Sequence, residues 1–237
     1  MPNPWGLLQA GEYAEAVKAC SLQIADKPDI PAYNNRATAY LLLGDLDAAL
    51  ADYAVAGFLD LTDATVGDHA HLHVAAVLWM KGRHALAASL WRHTVQQMLK
   101  KRFTHTDAAG GVQCGCLLWF ASARLGDPEL RALAEELLSK RAAKPGRWGN
   151  AWPAPLAAML LGQLTPPDLV AAASSPPVLA HRQLCQAHFY AATLAHAQGD
   201  GELAAMHLQS SAGTRAFIEI EYFLALHELR HRGRELA

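Results

Sequence analysis

The chain has 237 residues, with 20 Lys and Arg against 22 Asp and Glu, a formal charge of −2, and 52% hydrophobic and 18% charged residues. That length buries a core without disulfide staples, and the composition excludes disorder of the chain as a whole. The charge balance argues against a nucleic-acid binder, which needs a basic excess, and no apolar run approaches the roughly 18 residues of a membrane-spanning helix.

The opening, MPNPWGLLQAGEY, has neither a cationic n-region nor an apolar h-region, so no secretory signal is expected. Only Pro4 to Ala10 precede Gly11, too short for an ordinary first helix of a pair. Either the chain opens on a stub, or upstream residues were removed and a lost leader would change the compartment. The clearest periodic segment is Ala32 to Asp60. Tyr33, Ala37 and Tyr40 share one helical face, Gly44-Asp45 interrupts it, and Ala49, Tyr53 and Ala56 form a second face. Gly44 supplies the permissive backbone that ends one helix and Asp45 is placed to cap the next, which predicts two antiparallel helices. The same punctuation recurs at Gly11, Gly82, Gly126-Asp127 and Gly199-Asp200.

This segment resembles a tetratricopeptide repeat (TPR), a helical hairpin of roughly 34 residues. Tyr33, Ala37 and Tyr40 match the aromatic, small and Tyr positions of the first helix, and Ala49, Tyr53 and Ala56 match the second. It departs at Arg36, where Leu is usual, and at Leu61, where Pro is usual. His71, Ala75, Leu78, Ala87 and Trp91 resemble a weaker copy, and Ala192, Ala204 and Leu208 a degenerate one.

The resemblance implies an all-α, TPR-like helical-hairpin solenoid over 1–237, with repeats in 4–143 and an irregular central elbow at 144–178. A C-terminal repeat and capping helix would fill 179–232. Within the elbow, Lys144 to Pro155 is broken by Pro and Gly, Leu156–Leu161 reads as a short helix before Gly162, and Thr165-Pro166-Pro167-Asp168 opens another. Ala173 to Pro177 reads as a loop, and no stretch alternates as a strand would.

In the TPR family the first helix of each pair lines a concave groove. Carried over, the groove positions are Asn34, Thr38, Leu41 and Leu42, then His69, Leu72, Ala76, Trp79 and Met80. Cys116, Phe120, Ala123 and Arg124 follow, then Gln186, Phe189, Thr193 and His196. This wall is mostly apolar, and without a groove-facing Lys it does not fit the carboxylate clamp of chaperone-binding TPR domains. An apolar groove suits a helix or extended peptide, with Trp79, Met80 and Phe120 as anchors unless they pack against neighbouring helices.

Other clusters favour packing over chemistry. His69 and His73 stand one turn apart with Asp68 nearby, but a solvated His face explains them better than a metal. Gly110 to Cys116 lacks the Lys-Ser/Thr ending of a phosphate loop, and Gly115 reads as a site of close helix packing. Cys20, Cys114, Cys116 and Cys185 sit in apolar surroundings as small buried residues, and pairing Cys114 or Cys116 with His105 for catalysis has nothing to fix its geometry. Reduced thiols suit the cytoplasm; a removed leader would instead place the chain in the periplasm. The basic run from His227 to Arg234 complements a helix C-terminus. The stripe Phe217, Ile220, Phe223, Leu224 and Leu229 would cap the solenoid or, left exposed, pair two copies as a homodimer. The expected function is therefore a non-enzymatic module that holds a protein or peptide, as an adaptor or assembly factor. An immunity protein occluding a toxin and an enzyme on a helical array are the alternatives. No cofactor or metal is expected.

Overall fold

The computed structural model describes residues 3–62, 70–102, 111–143, 151–173 and 177–235. Among them are thirteen α-helices and no strand, so the fold is all-α. The chain divides into two compact units, Met1–Ala87 and Ala88–Ala237.

The first unit holds α1 (Pro4–Ala10), α2 (Tyr13–Asp26), α3 (Ile30–Leu43), α4 (Leu46–Thr62), α5 (Ala70–Met80) and the first turn of α6 (His84–Leu99). Local chemistry sets these boundaries. Asn3 caps α1, accepting the Trp5 N–H at 3.1 Å, and Asp29 caps α3, accepting the Ala32 N–H at 2.8 Å. Gly44 ends α3 at φ +84°, a left-handed conformation that a side chain would strain, and Asp45 then accepts the Ala48 N–H at 3.0 Å to start α4. Two linking residues force α3 and α4 to reverse direction. Each helix packs on its neighbour in sequence, α2 on α3, α3 on α4 and α4 on α5. Small buried residues at the crossings, among them Ala16, Ala19, Ala37, Ala49 and Ala56, let the backbones approach closely.

Arg36 stands inside this packing rather than on its surface. Its guanidinium donates to both oxygens of Asp52, at 2.8 and 2.7 Å, and to Ser21 Oγ at 3.0 Å, while Tyr33 lies beneath it. A bidentate partner on α4 is what lets an arginine occupy a position where a leucine was expected.

The second unit holds the rest of α6, α7 (Val112–Leu125), α8 (Pro128–Ala142), α9 (Ala154–Leu160), α10 (Pro166–Ala171), α11 (Pro177–Ala197), α12 (Gly201–Gly213) and α13 (Ile220–Glu235). Helix α7 is its axis. It touches α8, α9 and α11, and every residue from Cys114 to Ser122 is buried, as an all-round apolar helix must be. Gly115 is the point of closest approach: a Cβ there would lie 2.7 Å from Leu138 Cδ2. Arg131 on α8 spreads its guanidinium over the Trp119 ring, 3.5 Å from the centroid, and donates to Ser122 Oγ. Asp127 and Asp200 cap α8 and α12, and Thr165 caps α10. The elbow residues 151–173 thus carry the two short helices; 144–150 lie outside the described residues.

The apolar stripe on α13 is used within this unit. Ile220, Phe223 and Leu224 are buried, with α13 packed on α11 and α12, which leaves only Phe217 and Leu229 half-buried at its edges.

Candidate functional site: a pocket and a buried acid pair in the second unit

In the first unit the proposed groove positions divide between core and surface. Leu41, Leu72, Ala76 and Trp79 are buried, Trp79 at 1% exposure with its ring against His84 at 4.5 Å. Asn34, Thr38 and Met80 are half-buried. Thr38 Oγ1 donates to the Asn34 carbonyl at 3.0 Å and lies 3.4 Å from Tyr53 Oη. His73 stacks on the Tyr53 ring at 4.9 Å, whereas Asp68 and His69 lie outside the described residues, as do His105 and Gly110.

In the second unit five of the eight positions converge. Phe120 and Arg124 from α7, with Phe189, Thr193 and His196 from α11, line one half-open pocket of about 20 Å³, room for a single water-sized group. Its floor is aromatic: the Phe120 and Phe189 rings are 5.0 Å apart, and both side chains are essentially closed to solvent beneath the opening. Of the other three, Cys116 and Gln186 are buried in the core of the unit and Ala123 is half-buried. The remaining wall comes from α12 and α13, through Ala204, Leu208, Glu228 and Arg232.

The polar rim is an arrangement of charge. Arg124 Nε sits 2.9 Å from Glu228 Oε2, and one of its terminal nitrogens lies 3.2 Å from His196 Nε2 and 3.4 Å from Nδ1. A guanidinium only donates, so the imidazole takes part as an acceptor. Arg232 donates to the Gly201 carbonyl at the start of α12. Two guanidiniums against one carboxylate leave the rim net positive. Glu228 and Arg232 were the members that sequence reading missed, since both fall in a tail that reads as a basic helix end. Their i,i+4 spacing, which puts them on one face, was the available signal.

A second polar cluster lies deeper. Glu219, just before α13, is 5% exposed and Glu221, in its first turn, is fully buried. Glu219 pairs with Arg182 and accepts Gln186 Nε2 at 2.9 Å; Glu221 Oε1 accepts Gln113 Nε2 and Tyr190 Oη, each at 3.0 Å. Burial, with Glu221 beside it, pushes Glu219 up to about 7, and burial pushes Glu221 up as well. Nothing in the sequence marked these two residues, which alternate with apolar neighbours in a short run.

The four cysteines are buried thiols outside any disulfide, with burial pushing Cys20 up to about 11 and Cys185 up to about 12, far from a reactive thiolate. On the α11–α12 seam His188 Nδ1 and His207 Nδ1 are 3.1 Å apart, and burial pushes both imidazoles down. Among the described residues no group of three or more His, Cys, Asp or Glu side chains could hold a metal ion, and no helix is long and apolar enough to cross a membrane. No protein-family model matches the chain, and no curated protein is detectably similar to it.

Proposed function

We propose that this chain is a non-enzymatic interaction module built from TPR-like helical pairs, and that the pocket on its second unit receives part of a protein or peptide partner. One observation carries the reading. Residues assigned to a groove from repeat register alone, Phe120 and Arg124 on one helix and Phe189, Thr193 and His196 on another, line the same pocket. The polar rim of Arg124, His196 and Arg232 offers hydrogen bonds that fix a partner's register, and the opening between them admits a small group of that partner. The role is that of an adaptor or assembly factor, and the buried reduced thiols suit a cytoplasmic setting.

Site-specific photo-crosslinking tests this. A photoreactive residue at His196 is expected to yield one stoichiometric crosslinked partner in the native host, and the same residue at exposed Leu179 is expected to yield none. Crosslinks absent from His196, or equal from both positions, would rule out the pocket as the docking point.

A further inference from the structure

The turn between α12 and α13 is fastened to α11 chiefly by acids. Glu219 closes that turn, its N–H donating to the Ala216 carbonyl at 2.8 Å, and its carboxyl group meets Arg182 and Gln186 of α11. Gln186 reaches both acids, since its Nε2 is also 3.5 Å from Glu221 Oε1. The orientation of that amide is set by Trp152, whose indole N–H donates to Gln186 Oε1 at 2.6 Å. Three donors therefore crowd Glu221 Oε1, while Oε2 is buried with no hydrogen-bond partner among the described residues. The three donors favour the ionised form, but burial outweighs them, because an ionised carboxylate would leave half of its charge unsolvated at Oε2.

The surrounding charge points the same way. Helix α7 contributes Gln113, and α11 contributes Arg182, Cys185 and the phenol of Tyr190, which itself faces the thiols Cys114 and Cys116. From α12 and the turn the hydroxyls of Ser211 and Thr214 meet Cys185, and the one charged side chain of the turn besides Glu219, Arg215, is exposed. The guanidinium of Arg182, itself 44% exposed, pairs with Glu219, while Glu221 is met by the neutral donors of Gln113, Tyr190 and Gln186.

We propose that Glu219 and Glu221 hold one proton between them as a pH-sensitive latch, which fastens the α12–α13 turn to α11 while the proton is bound and frees it when the proton leaves. With the proton in place the pair carries one negative charge, matched by Arg182. Without it, a second negative charge sits beside the first in a site that water does not reach, and moving the turn outward relieves both the repulsion and the desolvation. Glu228 and Arg232 lie further along α13, so the latch anchors the helix that forms one wall of the pocket.

Amide hydrogen exchange of the full chain at pH 6 and pH 8, corrected for the intrinsic pH dependence, reads the latch directly. Residues 214–224 are expected to exchange about tenfold faster at pH 8, the most that one linked proton supplies per pH unit above its pKa. Glu221→Gln, which stays neutral, is expected to abolish the difference. Infrared spectra should show a protonated-carboxyl band at pH 6 that bleaches by pH 8 and is missing in the variant. Arg182→Gln, which removes the cation, is expected to move the transition to higher pH. Exchange unaffected by pH in the wild-type protein, no carboxyl band at pH 6, or a pH response that survives in both Glu219→Gln and Glu221→Gln would each overturn the latch.

Discussion

Both units bury carboxylates, and two of these clusters, one in each unit, do it in opposite ways. In the first, Asp52 is matched charge for charge by Arg36, with two short hydrogen bonds and a third from the same guanidinium to Ser21. In the second, Glu219 pairs with Arg182 while Glu221 meets neutral donors, and one oxygen of Glu221 has no hydrogen-bond partner among the described residues. The lesson is that a buried acid is not of itself a functional device. Where its charge is fully matched it is fold chemistry; where charges outnumber their partners, the protonation state becomes a variable of the structure.

The contrast breaks most visibly at the ion pair. Asp52→Ala leaves the Arg36 charge largely buried and unmatched, and is expected to cost about 3–5 kcal/mol. Replacing both by leucine should recover most of that loss. Urea unfolding followed near Trp79, within the first unit, measures both; equal losses for the single and double variants would show that packing, not charge, dominates there.

The acid pair sharpens the contrast through pH. A carboxyl group whose folded-state pKa is raised supports the fold at low pH and loses that support as pH rises toward the folded value. With Glu219 lifted from 4.5 to about 7, stability of the second unit is expected to fall across that window by about 3 kcal/mol at most. Glu221→Gln should flatten the slope and raise stability at pH 8. A profile that rises with pH over the same range would contradict the charge count.

Packing provides a smaller test. Gly115→Ala drives a methyl group into Leu138 and is expected to cost about 1–3 kcal/mol, lowering the melting temperature of the second unit. A neutral result would mean that α8 yields at that contact.

The smallest expected effects should be equal in the two units, because helix caps act locally. Asp29→Ala in the first and Asp127→Ala in the second each remove a side-chain acceptor from a helix start, at about 1 kcal/mol apiece. Markedly unequal losses would show that one cap is coupled to the packing around it.

These four tests also separate what was legible from what was not. Gly44 and Asp45 announced the α3–α4 turn, Thr165-Pro166 the start of α10, and Gly115 a close approach, because each acts through backbone or steric preferences a few residues wide. Residues of α7 and α11 line a common pocket, a meeting of side chains 65 or more positions apart in the chain. Repeat register did not show that Trp79 and Phe120 lie in the cores of their units, since a helical face has no label for core or groove. Arg36 read as a departure from a pattern until Asp52, sixteen residues on, appeared beside it.

By itself, then, the sequence determined the helices, their punctuation and the burial of the thiols. Which charges meet was decided by tertiary structure alone. Glu221 becomes a buried acid only because Gln113, 108 residues earlier in the chain, and Tyr190, 31 earlier, are brought against it. Helix caps are satisfied within one turn of chain, whereas desolvation of a carboxyl group depends on every element that closes around it.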